Sequence, residues 1–449
     1  MTKIKTVFVC QNCGYISPKW SGKCSNCDTW NSLLEEVQDT GKSQNKNTDV
    51  IKGNPTPIKE ITEKNFSRII LPFSEFNRVL GGGLVPGSLV LVGGEPGIGK
   101  STLILQTALQ INKKIIYISG EESDGQIKLR ADRVGISNDN CLIYTENNIE
   151  KIIATIEFSK PDMVIIDSIQ TVYSHELTSA SGTISQIKEA TRQLQLFAKK
   201  NNIPIILIGH INKEGDIAGP MVLEHIVDTV LQFEGDSNYF YRLLRPKKNR
   251  FGSTYEIGVF EMKSDGLTEV QDPGNILLSA ENTQLSGVAY GTLGEGARTL
   301  MLEVQALSSN AVYSSPQRSA TGFDNRRFQM LLAVIEKRLG LKLAQKDVFL
   351  NIAGGIKVND PAVDLSVVAS VVSSYFDKII KENTCFIGEV GLSGQIRPVA
   401  HIDKRVNEVI RLGFQKIFIA SSQKKDVNKK NAEIISVSDI NQFATKLFK

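Results

Sequence analysis

No run of about 18 consecutive apolar residues occurs anywhere in the 449 residues, so nothing is available to span a bilayer as a helix. The opening stretch, Met1-Thr-Lys-Ile-Lys-Thr-Val-Phe-Val-Cys10, carries no apolar core of signal-peptide length. A cytoplasmic location without a membrane partner is therefore expected. An excess of one charge is also missing. Fifty-two Lys and Arg stand against 48 Asp and Glu, a net charge of +4, which is too small to imply nucleic acid by itself. Any DNA surface must come from local clusters. Internal repeats and long low-complexity tracts are absent too. What remains is the composition of a globular protein. It is too long for one core, and at roughly 150 residues per domain it suggests two or three.

Four of the six cysteines are concentrated at the N-terminus. Cys10-Gln-Asn-Cys13 and Cys24-Ser-Asn-Cys27 are two Cys-x-x-Cys pairs, with Gly14 after the first and Gly22 before the second. Four thiolates on two tight turns can converge tetrahedrally, which in a reducing cytosol reads as structural Zn²⁺ rather than disulfides. A redox pair is the competing idea, but it would need no second pair. A module of this size cannot fold on its apolar area alone, and metal binding of roughly 10–16 kcal/mol supplies what is missing. Cys141 and Cys385, in apolar surroundings, read as core residues.

Residues 1–36 are thus a zinc finger. A polar stretch over 37–65, with Pro55 and Pro57, reads as a linker. From 66 to 270 strand-like apolar runs (Ile115–Ser119, Met163–Asp167, Ile203–Gly209) alternate with helical patterns near 101–111, 122–134 and 184–201. This predicts an α/β domain built on parallel strands buried on both faces. Over 226–262 two antiparallel strands are expected, Tyr239–Leu243 and Thr254–Met262, flanking a basic loop. A fresh α/β pattern over 285–449 marks another domain.

Within the α/β domain, Gly94-Glu95-Pro96-Gly97-Ile98-Gly99-Lys100-Ser101-Thr102 follows the apolar run Ser88–Gly93 and opens an amphipathic helix. Strand, glycine loop and helix form the context of a phosphate-binding loop. Gly94, Gly97 and Gly99 let successive N–H groups face a phosphate, and the helix N-terminus adds partial positive charge. Lys100 reaches the terminal phosphates of ATP and the Ser101 hydroxyl ligates Mg²⁺. Asp167, at the end of a buried strand, is placed to hold the Mg²⁺ shell. Ser119-Gly-Glu121-Glu122-Ser123 supplies two carboxylates, either of which could orient an attacking water, with Glu121 the first choice. His210, after Ile205–Gly209, is a candidate sensor of the terminal phosphate or a merely structural strand-end histidine.

Three stretches, Leu80–Thr102, Tyr117-Ile-Ser-Gly-Glu-Glu-Ser123 and Lys248-Asn-Arg-Phe-Gly252, together with the four-cysteine finger, resemble the bacterial RadA (Sms) family from end to end. The resemblance implies a RecA-like ATPase core between the finger and a C-terminal domain like that of Lon-type proteases. It further implies a DNA-dependent ATPase that works in homologous recombination and DNA repair. Such proteins resemble ring-shaped (hexameric) helicases, act on single-stranded and branched DNA, drive branch migration and work beside a recombinase or other recombination proteins. By the same resemblance Arg250 is an arginine finger supplied to the neighbouring subunit, with Lys248 as its companion, unless the loop lines a DNA channel instead. A Lon-type protease carries its serine where Ala362 stands and its lysine where Asp403, or Lys404 with a register slip, stands. Without a hydroxyl there is no nucleophile, so this domain is read as a scaffold for ring assembly. Arg326, Arg327, Lys337, Arg338, Lys342, Lys346, Lys404 and Arg405 are candidate phosphate contacts or simply a solvated face. An ATP-dependent switch or kinase acting on protein partners is the alternative for the whole chain.

Overall fold

The computed structural model describes residues 4–11, 14–39, 57, 59, 67–210, 220–235, 241–270, 285–296, 298–311, 316–354, 358–427 and 432–448. Most of the stretch expected to be a linker lies outside them. The chain divides into two compact units, one of residues 1–234 and 242–269 and the other of residues 235–241 and 270–449.

The first unit begins with a small antiparallel sheet in which β1 (Ile4–Cys10) lies between β2 (Ile16–Ser17) and β3 (Leu33–Asp39). Cys10, Cys24 and Leu33 form a buried cluster at its centre, with Phe8 and Cys27 packed against them, so thiols occupy much of the place of a hydrophobic core. Next come α1 (Ser74–Leu80) and a run of βα units: β4 (Leu89–Gly94), α2 (Lys100–Gln110), β5 (Ile115–Ser119), α3 (Asp124–Val134), β6 (Cys141–Thr145), α4 (Ile149–Ser159), β7 (Met163–Asp167), α5 (Ile184–Asn201) and β8 (Ile205–His210). The run closes with α6 (Pro220–Ile226), β9 (Thr229–Glu234), β10 (Tyr241–Asn249), β11 (Gly258–Lys263) and β12 (Gly266–Glu269).

These strands form one nine-stranded sheet in the order β12-β11-β10-β9-β4-β8-β7-β5-β6. From β9 through β6 the pairing is parallel. β4, β5 and β7 are buried at every position, which explains their unbroken apolar runs. Two apolar layers cover the sheet, one around Phe76, Leu103 and Tyr117, the other around Ile152, Leu194 and Leu207. Cys141 packs against the first layer, and burial pushes its thiol up to about 11. The α/β architecture is the one expected. It includes elements that the sequence reading passed over, among them β6 and α4, although Ile149, Ile152 and Ile156 mark the buried stripe of α4.

The basic segment Arg245–Arg250 differs from expectation. Five of its residues belong to β10, an interior strand paired with β9 and next to β11 in the sheet, rather than to a projecting loop. Its cations are tied down inside the unit: Arg245 pairs with Glu234 at 2.7 Å, and Lys248 donates to the Val227 carbonyl at 3.0 Å.

The second unit carries a seven-stranded mixed sheet of β13 (Val288–Glu295), β14 (Arg298–Asn310), β15 (Arg318–Thr321), β16 (Lys346–Ile352), β17 (Thr384–Phe386), β20 (Lys416–Ala420) and β21 (Glu433–Val437), with a separate β18–β19 hairpin (Glu389–Val390, Ile396–Arg397). Its helices are α7 (Asn325–Leu339), α8 (Asp364–Phe376), α9 (Ile402–Arg411) and α10 (Ile440–Leu447). Cys385 is fully buried in this sheet. Ala362 is buried just before α8, while Asp403 and Lys404 point to solvent from the first turn of α9. The residue that α9 turns inward is Arg405, 5 % exposed, which donates to the Asp360 carboxylate at 2.7 Å and to the Ala400 and Thr292 carbonyls at 2.9 and 3.1 Å. Arg327 makes a bidentate pair with the fully buried Asp364 at 2.6 and 2.5 Å. Arg327 and Arg405 are therefore structural cations and drop out of the candidate phosphate contacts.

Removing one partner of a buried ion pair leaves an uncompensated charge and costs about 3–5 kcal/mol. Arg405→Ala is expected to lower the urea midpoint of the full-length chain accordingly. An unchanged midpoint would show that Asp360 finds its compensation elsewhere.

Candidate nucleotide site and metal ribbon

The parallel register brings the chemistry of the first unit to one edge. Gly94 pairs with His210, Ser119 with Asp167, and Asp167 with Ile208, so the carboxyl ends of β4, β8, β7 and β5 finish in a row. That row is where an open α/β sheet accepts a ligand.

The loop after β4 exposes Glu95, Pro96 and Gly97 and buries Ile98. Gly99 lies at φ 111°, and a Cβ there would stand 2.6 Å from the Met262 methyl, so only glycine fits. It caps α2, whose N-terminus faces the loop. Ser101 and Thr102 follow in the first turn, both half-buried. Lys100 is buried, and its ammonium donates to the carbonyls of Gly94 at 2.8 Å and Glu95 at 2.9 Å. Burial lowers its pKa to about 8, opposed by the nearby charges of Asp167, Glu121 and Glu95. Lys100, Glu121 and Asp167 thus share one cleft. The loop, the helix N-terminus and the cation at its floor fit a nucleotide polyphosphate.

Asp167 is buried and accepts a hydrogen bond from the Tyr117 hydroxyl at 2.5 Å. Burial, then the Asp167 charge, holds that phenol well above its ordinary value. The helix expected from residue 122 begins two residues later, because Ser123 caps α3 in a reciprocal box with Gln126. Glu121 and Glu122 therefore lie in the preceding loop and diverge. Glu121 is exposed and accepts a hydrogen bond from the Ser168 hydroxyl beyond β7, whereas Glu122 is paired with Arg130 of α3. Gly120 makes this loop possible, since a Cβ there would meet Thr171 Oγ1 at 1.9 Å. His210 ends β8 beside Gly94; its side chain is outside the described residues.

Lys248 and Arg250 are not in this cleft. Lys248 donates to the carbonyls of Glu224 and, at 3.0 Å, Val227; its pKa is lowered by burial and then by Arg250. Arg250 pairs at 3.0 Å with Asp228, which is nearly buried and also accepts from the Leu89 N–H at 3.1 Å. Leu89 starts β4 and Gly94 ends it. At about 3.3 Å per residue, the pair stands on the order of 16 Å from its own phosphate loop, at the opposite end of the sheet. Sequence reasoning missed Asp228, whose only signal was an acidic residue immediately before a buried strand.

In the N-terminal ribbon the sulfurs of Cys10, Cys24 and Cys27 lie within 4.8 Å of one another, and those of Cys10 and Cys27 are 3.6 Å apart. Tetrahedral zinc with Zn–S bonds of about 2.3 Å places sulfurs about 3.8 Å apart, so the set fits a metal. Cys13 lies outside the described residues.

A sheet of this order with a phosphate loop, a strand-end aspartate and a thiol ribbon defines a RecA-like P-loop ATPase with a metal-binding ribbon. Family models agree segment by segment: a rubredoxin metal-binding domain matches residues 8–35, an AAA domain 55–216, and the ChlI subunit of Mg-chelatase 299–423. Curated relatives extend over the whole length. DNA repair protein RadA of Listeria monocytogenes is 49 % identical over 99 % of both chains, that of Bacillus subtilis 46 % over 98 % of both, and that of Streptococcus pyogenes 44 % over the full length of both. The chain belongs to the RadA family. Among solved structures, a KaiC-like protein of Pyrococcus horikoshii is 18 % identical, with a TM-score of 0.39, covering 46 % of this chain and 99 % of its own.

Lys100 yields a test that does not need turnover. With its pKa near 8 in the free protein, binding of a polyanion favours the charged form, so ATP binding takes up protons above pH 8. Affinity then falls as pH rises beyond that point. Calorimetry at pH 8.5 in buffers of different ionisation heat should show this uptake, and Lys100→Arg, which stays charged, should lose it. Equal uptake by both proteins would contradict the assignment.

Proposed function

We propose that this chain is a DNA-stimulated, ring-forming ATPase that processes recombination intermediates during DNA repair. The observation that carries the reading is the division of labour across the sheet. One end gathers Lys100, Glu121 and Asp167, and the other holds Lys248 and Arg250. A phosphate-clamping set and a distant cation pair on one subunit suit a ring, in which each cation pair serves the neighbour's nucleotide.

In this reading the backbone of residues 94–99 and Lys100 cradle the terminal phosphates of ATP, with Ser101 and Asp167 holding Mg²⁺ and Thr102 beside them. The metal supplies charge neutralisation at the phosphates. Glu121 orients the attacking water, a role favoured over Glu122 because Glu122 is engaged by Arg130. His210 senses the terminal phosphate, and Arg250 with Lys248 stabilises charge on the neighbour's transferring group. Cys10, Cys13, Cys24 and Cys27 hold Zn²⁺. A role in DNA repair is supported by the relatives, which are named for it; branch migration beside a recombinase is the finer part of this proposal. No described helix is long and apolar enough to cross a membrane, and a cytoplasmic site of action fits DNA as substrate.

The direct test is steady-state ATP hydrolysis with and without single-stranded DNA. Stimulation by DNA is expected. Glu121→Gln should keep ATP binding and lose turnover by about 10²-fold or more, and Lys100→Ala should lose hydrolysis. Loss of turnover in Glu122→Gln with Glu121→Gln unaffected would reverse the assignment, and indifference to DNA would sink the motor reading.

The trans role of Arg250 can be read from mixing. Arg250→Ala and Lys100→Ala proteins are each expected to be inactive alone and to recover part of the activity in mixed rings, because some interfaces then join two intact halves. No recovery in verified mixed rings, with DNA affinity lost in Arg250→Ala alone, would move the motif to a DNA channel.

A further inference from the structure

The chain contains only two tryptophans, Trp20 and Trp30, and both lie in the metal ribbon at 59 and 70 % exposure. Indoles are among the side chains whose burial contributes most to stability, and folded domains normally bury most of each ring. Here a module with a small, thiol-rich core leaves both outside. They are also adjacent. A Cβ placed on Gly22 would touch the Trp30 ring at 3.6 Å and the Trp20 ring at 3.9 Å, so both indoles flank one glycine floor. The bridge between Lys23 and Trp30 fixes the second ring against that floor.

Charge identifies the occupant. Lys19 and Lys23, both exposed, bracket Trp20 in sequence, and Lys23 faces Trp30 across the bridge. Lys23 is paired with Asp28 at 2.7 Å, but Asp28 is 79 % exposed. Such a surface pair is weak and yields readily to a phosphate. Flat exposed rings beside lysines are the arrangement that stacks unpaired bases while the cations follow the backbone.

We propose that Trp20 and Trp30 form a stacking platform for the bases of single-stranded DNA, with Lys19 and Lys23 contacting its phosphates. The inference rests on DNA being this protein's ligand and places one point of contact in the ribbon.

Because no other tryptophan exists, emission of the zinc-loaded full-length protein, excited beyond the absorption of its tyrosines, reports on this platform alone. Titration with a labelled 30-nucleotide oligothymidylate at fixed salt gives binding by anisotropy and stacking by emission. Emission should be quenched in step with binding. The double variant Trp20→Ala/Trp30→Ala, checked for unchanged zinc content and circular dichroism, should bind about tenfold or more weakly. Trp20→Phe/Trp30→Phe should retain most of the affinity. Binding with unmoved emission and an unaffected double variant would overturn the platform while leaving DNA as ligand. Absence of any oligonucleotide binding would instead remove the DNA reading itself. Emission indifferent to DNA but shifted by a purified recombinase would assign the face to a protein and equally overturn the proposal.

Discussion

The register of the parallel strands is the constraint on which the nucleotide site depends. β4, β8, β7 and β5 are hydrogen-bonded so that Gly94, His210, Asp167 and Ser119 finish at one edge. A shift of one residue in β7 would turn Asp167 to the other face of the sheet and remove its bond from Tyr117. The apolar runs that make these strands fully buried therefore also aim their last residues. The geometry of the candidate site is thus set by core packing, since the same register that buries these strands aligns their last residues.

Much of this was legible in the sequence because it is local. A glycine loop between an apolar strand and an amphipathic helix declares itself, as do two Cys-x-x-Cys pairs. The acid at the end of Met163–Asp167 was legible for the same reason. Less visible were features whose meaning depends on the far side of the fold. Arg245–Asn249 looked like a loop because basic residues and a proline suppress the strand pattern. In the fold each cation has a carboxylate or carbonyl supplied by another segment, such as Glu234 from β9 or Glu224 and Val227 around the end of α6. Arg405 was read as a surface cation beside the lysine position of a Lon-like site, and only the helix phase of α9 shows that it faces Asp360. Asp228 carried only the slight signal of an acid immediately before a buried strand.

The second unit carries buried ion pairs around the segment where the resemblance to Lon-type proteases would place a serine. Ala362 fills the buried position before α8, and the segment around it is held by ion pairs rather than left open. Asp360 receives Arg405 together with the N–H groups of Gly294 and Ala362, and Asp364 receives Arg327 and the Val390 N–H. A segment pinned at both ends by charge is rigid, which suits a domain read as a platform for assembly.

Asp228 gives the cation pair a mechanical meaning. One carboxylate oxygen takes the Arg250 guanidinium and the other takes the Leu89 N–H, at the root of the strand that ends in the phosphate loop. Arg250, about half exposed, cannot turn toward another subunit without leaving a nearly buried carboxylate short of its counter-charge. That carboxylate would then draw on Lys199, now 3.9 Å away, or on the backbone of β4. Capture of Arg250 would therefore free a carboxylate that also holds the first N–H of β4, the strand that leads into the phosphate loop. In a closed ring such a linkage would behave as a drive chain, in which filling one link loads the next.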